Sequence, residues 1–377
     1  MSFFTFTFGV LVLLAAAAAL ARTQKKTGIQ SPTSEPGQKV TFRFVGPGAK
    51  QVKLQLEGLE QPAPMTRDST GVWTIAVGPL APGLYGYRFI ADGVNLLDPN
   101  NPIVRTGLGQ PQSSLLISGE TPQLWEVADV PHGVVHHHFF KSGVVGDESD
   151  HYVYTPPGFV LRGTSKYPVL YLLHGYSEGA DAWTAVGKAN VILDNLLAQN
   201  KIKPMIVVMP LAYGTREIVK LGWEGWQNPE LRRKNFDYFG KALLTELIPQ
   251  VEGAYPASAS REDRAIAGFS MGGAEALLIG LNHIDQFAHV GAFGTGGLSE
   301  DYPAAFPALD ASHAKQLKTL WIACGTSDQL IHANRKFKGW LKSKNVPFTD
   351  VETPGGHNWL LWCQNLIAFA SQLFNSD

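Results

Sequence analysis

Between Ala267 and Gly273 the chain reads Ala-Gly-Phe-Ser-Met-Gly-Gly, one hydroxyl set among small residues. A serine hydroxyl is a weak nucleophile until a base takes its proton, and the base works best when a third group holds its tautomer. Both partners follow Ser270 along the chain. Asp328 lies in Cys-Gly-Thr-Ser-Asp-Gln-Leu (324–330), and His357 in Pro-Gly-Gly-His-Asn-Trp-Leu (354–360). His357 is expected to act as general base and then general acid, with Asp328 fixing the imidazole tautomer and stabilising the imidazolium. Asp310 and Asp350 stay open as other carboxylates, although the first sits in a Pro/Ala-rich loop and the second inside a strand-like run. His283, His289, His313 and His332 read as surface or helix-packing residues. The chemistry these types allow is acyl transfer through a covalent acyl-enzyme.

Such a reaction needs two backbone N–H donors for the developing oxyanion. The residue after the nucleophile, Met271, supplies one. The other is expected from the His174-Gly175-Tyr176 loop, at Tyr176 with Gly175 as the alternative. His174 reads as a structural tie for that loop. Trp183, Trp223 and Trp226 are the candidate walls of a flat apolar substrate slot; the competing reading is that they anchor their loops. Arg216, Lys220, Arg232 and Arg233 near the last two read as solvated surface.

A Gly-x-Ser-x-Gly pentapeptide alone is a weak signal in a chain with 39 glycines. Its setting strengthens it: the strand-like Arg-Ala-Ile-Ala-Gly (264–268) enters the turn and a helix-like run leaves it. A sharp strand-to-helix turn forces strained backbone at the serine and leaves no room for side chains beside it. Both proposed partners also follow strand-like runs, 319–324 and 348–352. Further apolar runs at 168–174, 205–210 and 289–293 alternate with helical stretches at 186–199, 236–252, 272–282, 329–343 and 360–374. That alternation predicts a doubly wound, mostly parallel α/β sheet over 134–377, with candidate antiparallel strands at 134–140 and 150–157. Chemistry in such sheets collects at the carboxyl ends of strands. The segment 213–230 is expected as a long loop overhanging that edge.

Residues 22–120 read differently. Alternating runs at 39–47, 50–58, 71–80 and 83–93, broken by Gly, Pro and Asp-Gly, predict a small all-β sandwich. Trp73, Tyr85 and Tyr87 could stack on sugars but sit at positions that are more often core. Residues 100–114 read as an irregular exit, 114–118 as a closing strand, and 121–133 as a linker held by Trp125.

The chain has 377 residues, 45% hydrophobic and 17% charged, with 31 Lys+Arg against 32 Asp+Glu. That is a two-domain globular composition, and its formal net charge of −1 argues against a nucleic-acid partner. Residues 1–21 read as a secretory signal ending Ala-Leu-Ala, although Lys and Arg follow the apolar run rather than precede it; an uncleaved anchor is the alternative. No cysteine follows the cut, which argues against a lipid anchor. The expected location is secreted or periplasmic, with no stable membrane insertion after cleavage. Cys324 and Cys363 are expected as two buried free thiols. In His136-His137-His138 neighbouring side chains point to opposite faces of a strand, so the run reads as a partly exposed strand and no metal site is expected.

Several stretches together resemble a known group: VYTPPGF (153–159), YPVLYLLHGYSE (167–178), KANVILDNLLAQNKIKPMIVVMP (188–210), RAIAGFSMGGAEAL (264–277) and GGHNWLLW (355–362). They look like the esterase D and feruloyl esterase group, carbohydrate esterase family 1, of the α/β-hydrolase fold. Residues 31–118 resemble the immunoglobulin-like domain, related to carbohydrate-binding module family 48, that precedes many of these esterases. The resemblance implies a cofactor-free serine esterase that releases ferulate or related hydroxycinnamates from plant xylan, with Ser270, Asp328 and His357 in the roles above and the N-terminal domain as a candidate xylan contact. It also implies other esters of the same fold: acetyl-xylan, an enterochelin-type siderophore or S-formylglutathione. A non-catalytic carbohydrate-binding protein is the reading from another class. Relatives tend to read FSGG where this chain has Phe293-Gly294-Thr295-Gly296-Gly297, often carry an arginine near the position of Cys363, and commonly have a basic residue at His151.

Overall fold

A computed structural model describes residues 28–107 and 111–374. The expected leader, 1–21, lies outside the described residues.

Residues 33–117 form two antiparallel sheets. One holds Thr33–Glu35, Lys39–Val45, Val72–Val77 and Thr66–Arg67 in that spatial order. The other runs Ala63–Pro64, Val52–Leu56, Gly83–Ala91, Gln112–Ile117, Val104–Arg105, with Val94–Leu96 paired to Gly83–Ala91. Alternate residues of both sheets close one core: Val40, Phe42 and Phe44 against Leu54, Tyr87, Phe89 and Leu115. Trp73 and Tyr87 belong to that core, and half-buried Tyr85 donates its hydroxyl to Ala81 O, so none of the three offers a free sugar platform. The expected irregular exit contains the short strand Val104–Arg105, because Gln112 and Ser113 pair with it.

The linker is docked along the second domain. Trp125 is buried among that domain's apolar residues, and Asn195 donates to the carbonyls of Leu124 and Glu126. His132 and Gly133 both meet the buried carboxylate of Asp194.

The second domain is built on an eight-stranded sheet in the order Val134–Lys141, Glu148–Thr155, Ile206–Pro210, Val169–Leu173, Arg264–Phe269, His289–Phe293, Thr319–Gly325, Thr349–Thr353. The first two strands are antiparallel; the other six run parallel. Four central strands are buried along their whole length, as expected for a sheet covered on both faces. One face packs on the helices at 229–254, 271–282 and 331–343, the other on Ala189–Ala198 and Trp359–Ala370.

Register aligns the strand exits. Leu173 pairs with Gly268, Phe269 with Phe293, Phe293 with Ala323, and Gly325 with Thr353. The residues that follow each strand, His174, Ser270, Gly294, Thr326 and Pro354, therefore leave the sheet along one edge.

Two expectations about helices change. The helix expected at 236–252 begins at Pro229, because Asn228 accepts from the N–H groups of Glu230 and Leu231 and Pro229 occupies the first helical position. It widens into a π turn at Leu243–Leu247 just before Pro249, which lacks the N–H that would close the regular ladder. The segment 213–230 is not a loop. Thr215 caps Arg216–Lys220, and Gly222–Gln227 follows as a second short helix.

Candidate active site

At Ser270 the backbone takes φ 53° and ψ −116°, a conformation that side chains rarely adopt. The turn is held by Ser270 N–H donating to Phe293 O at 2.9 Å and by Gly296 N–H donating to Ser270 O at 2.9 Å. The glycines beside it are sterically required. A β-carbon at Gly268 would stand 2.5 Å from Gly272 O, and one at Gly272 would stand 2.5 Å from His174 O. The strand and helix meet so closely that only hydrogen fits.

Three side chains converge there from separate strand exits. His357 Nε2 lies 3.0 Å from Ser270 Oγ, and His357 Nδ1 lies 2.8 Å from Asp328 Oδ2. Asp328 is fully buried at its side chain and also accepts Leu330 N–H at 2.8 Å. The His357 ring stands edge-on to Trp362 at 5.0 Å. A buried carboxylate behind an imidazole, with a hydroxyl in front, can move a proton from oxygen to nitrogen and hold the resulting charge. Three of the other candidates are occupied elsewhere: Asp310 caps the helix Ala311–Ala314, Asp350 pairs with Lys338, and buried His289 meets Thr319.

The Tyr176 and Met271 backbone N–H groups donate to no acceptor within the described residues. Met271 opens the helix Met271–Asn282, so its N–H has no partner inside that helix. His174 ties the Tyr176 loop: Nδ1 meets Gly175 O at 2.8 Å, and Nε2 accepts Ala212 N–H at 2.9 Å. Those partners assign the proton to Nδ1, and burial lowers the ring's pKa to about 4, so it is neutral. Ser177 N–H donates to the Tyr213 hydroxyl at 2.9 Å.

The three tryptophans have different fates. Trp183 is fully buried, donates to Leu173 O and packs against Phe269 and Trp359, so it is a core residue and not a substrate wall. The apolar Ala182–Ala185 turn carries it inward rather than toward the site. Trp226 is half-buried and stacks on Tyr176 at 4.7 Å. Trp223 is 61% exposed, 5.2 Å from the same ring. Tyr176 in turn donates its hydroxyl to the carbonyls of Ile218 and Gly222. Arg232 is not free surface: it lies over Trp226 and donates to Trp226 O and Gly297 O.

Sequence reasoning missed Gly294, Asn334, Glu178 and Arg105. Asn334 clamps Thr295 through both its amide atoms, holding the loop that departs from FSGG. Arg105 reaches from the β-sandwich to Glu178 at 3.0 Å. No local pattern marks it, since its partner lies 73 residues away. The cysteines are free and buried, with the Cys363 thiol directed at Gly187 O. His136 and His138 share one side with Tyr255 while His137 stacks on Tyr152, and among the described residues no group of three or more His, Cys, Asp or Glu could hold a metal ion. No helix among them is long and apolar enough to cross a membrane.

Comparison with known proteins agrees with this architecture. Residues 142–373 match the family described as "Putative esterase". An endo-1,4-beta-xylanase/feruloyl esterase of Xylanibacter ruminicola is 31% identical over 369 residues; the match covers 94% of this chain and 48% of that protein, so the chain spans about half the length of that relative. A ferulic acid esterase from Anaeromyces mucronatus, solved in complex with ferulic acid, is 26% identical with a TM-score of 0.57, covering 69% of this chain and 98% of the other. The enterobactin esterase of Shigella flexneri has a TM-score of 0.67 and covers 89% of this chain and 94% of its own, but at 21% identity that likeness concerns the fold alone. With an α/β sheet of this topology and a family match over most of its second domain, the chain belongs to the esterase family.

Proposed function

We propose that the protein is a serine carboxylesterase that releases ferulate or a related hydroxycinnamate from xylan side chains, and that it acts outside the cytoplasm. The observation that carries the chemistry is the hydrogen-bonded series Ser270–His357–Asp328 at a strained strand-to-helix turn. Ser270 Oγ attacks the ester carbonyl as His357 Nε2 takes its proton. The tetrahedral oxyanion is received by the N–H groups of Tyr176 and Met271. The sugar alcohol leaves with the proton from His357. Water, deprotonated by the same imidazole, then displaces the acid from the serine.

The substrate class rests on relatives: the Xylanibacter protein whose name includes feruloyl esterase, and the structure holding ferulic acid. An aromatic acyl group would find an apolar surface at Trp223 and Trp226 beside Tyr176. An acidic catecholate would need several free cations there, but Arg232 is engaged with carbonyls, Arg216 with Asp147 and Arg233 with Asp237, which leaves Lys220 of the four. Initial rates on methyl ferulate, acetyl-xylan and a catecholate triester, measured with wild type and Ser270→Ala, test both claims. Highest kcat/KM on methyl ferulate is expected, with no turnover by the variant. Turnover retained without the hydroxyl rejects the serine route, and preference for either other ester rejects the substrate.

A further inference from the structure

We propose that Arg105, carried by the N-terminal β-sandwich, is a positioning residue for ester cleavage, bracing the Tyr176 loop against the segment that carries His357. The proposal rests on the serine-esterase reading above.

Arg105 ends the short strand Val104–Arg105. One nitrogen of its guanidinium meets Glu178 Oε1 at 3.0 Å, and the other lies 3.5 Å from Glu57 Oε2. Glu57 is itself fixed by Gly86 N–H at 2.8 Å, so the arginine is anchored in its own domain before it reaches across. The guanidinium carbon also sits 5.9 Å from the centre of the Trp359 ring. Glu178 is two residues past Tyr176, and Trp359 is two residues past His357. Trp359 is fully buried and packs edge-on against Phe269 at 4.7 Å, and Phe269 directly precedes Ser270. One guanidinium therefore touches, directly or through a single ring, all three segments that must be held in register.

Close backbone contact reinforces the bridge. A β-carbon at Gly107 would stand 2.3 Å from Ser177 O, so the sandwich meets the loop main chain to main chain. Leu84 of the sandwich is buried in the same apolar cluster as Trp359, Trp362 and Trp183. The ion pair is largely removed from water: the side chain of Arg105 is 18% exposed and that of Glu178 is 8% exposed. Exposed pairs contribute little, but a buried carboxylate that loses its partner is strongly disfavoured and must move or take up a proton. Burial raises the Glu178 carboxyl pKa, and Arg105 works against that.

The consequence falls on the transition state. An oxyanion donor displaced by a fraction of an ångström loses its grip on the tetrahedral oxygen while ground-state binding survives. The N-terminal domain then belongs to the catalytic unit, whether or not it also binds sugar.

The test uses the full chain with methyl ferulate as substrate and a phenylboronic acid as a mimic of the tetrahedral intermediate. Arg105→Ala should lower kcat about tenfold or more, leave KM within about twofold, and weaken boronate inhibition by a factor like that in kcat. Glu178→Gln should shift kcat and boronate affinity the same way with KM again little changed, and Arg105→Lys should recover part of the loss because it keeps the charge without the fork. If Arg105→Ala fails to fold, Glu178→Gln carries the same expectation and Arg105→Lys a smaller loss in the same direction. Folded Arg105→Ala or Glu178→Gln with kcat and boronate affinity within twofold of wild type overturns the proposal, as does a loss that merely tracks the folded fraction. Wild type that neither cleaves the ester nor binds the boronate removes the serine-esterase reading and this one with it. Active wild type, dead Ser270→Ala and unaffected Arg105→Ala remove only the role of Arg105.

Discussion

Gly294 leaves the space that the Asp328 carboxylate occupies: a β-carbon there would stand 2.9 Å from Asp328 Oδ2 and 3.4 Å from His357 Nδ1. Its φ of +56° adds a second reason for glycine. Gly294→Ala should therefore injure activity more than stability. The left-handed conformation costs an alanine about 1–2 kcal/mol. Pushing the carboxylate off the imidazole should cut kcat about tenfold or more. Kinetics beside a thermal melt check this, and wild-type kcat in a folded variant would contradict it.

Replacing Asp328 by Asn keeps the shape but asks an amide to hold the imidazole. The amide can present an N–H to Nδ1 and so favours the wrong tautomer. We expect kcat to fall on the order of 10³–10⁴-fold, with the melting temperature nearly unchanged. A variant retaining a tenth of the rate would dismiss the carboxylate's role.

Five residues past Ser270, Glu275 is fully buried, its Oε1 3.4 Å from Asn235 Nδ2 and its Oε2 without a partner among the described residues. Burial pushes its carboxyl well above the ordinary 4.5. The folded protein thus keeps a proton that the unfolded chain has released. The contribution of the protonated group is complete below about pH 4.5 and is lost as pH rises toward the folded-state value. Glu275→Gln cannot ionise, so its stability relative to wild type should climb with pH above 4.5, by about 1.4 kcal/mol per unit. Urea midpoints at several pH values measure this, and parallel curves would refute it.

Trp183 and Trp223 should separate cleanly. Trp183→Ala empties a fully buried site and should cost about 3–5 kcal/mol of stability. Trp223→Ala removes a mostly exposed side chain whose ring contact is with Tyr176, and should change stability by less than about 1 kcal/mol. Under the hydroxycinnamate reading it should raise KM for methyl ferulate more than for an acetyl ester. Equal KM changes on the two esters would remove Trp223 from the acyl site.

The two thiols are buried, and Cys324 is pushed up to about 12 by burial. Neither should react with a thiol reagent in the native protein, and both should react once it is unfolded in denaturant without reductant. A single reactive thiol, or none, in the unfolded chain would contradict the free-cysteine arrangement.

Local features were legible because local rules govern them. Gly268 and Gly272 announced a crowded turn, alternating runs announced the sandwich, and buried-strand runs announced the parallel sheet. The segment 213–230 was misread because its helices are short and rest on the caps Thr215 and Asn228, which also fit a loop. Trp183 was misassigned because an aromatic after the His174 loop can face either the cleft or the core. Only packing against Phe269 and Trp359 settles which.

By itself the chain determined the main buried strands and long helices and the residue types able to carry acyl transfer, since periodicity, glycine spacing and side-chain chemistry are properties of short segments. Tertiary structure alone decided which of several carboxylates and imidazoles meet Ser270, that Trp183 turns inward, and that Arg105 crosses from one domain to the other. Those outcomes depend on parallel register and domain docking, which bring together atoms separated by 29 to 87 residues; strand-like runs before Asp328 and His357 pointed to the first of them, and no local pattern pointed to Arg105.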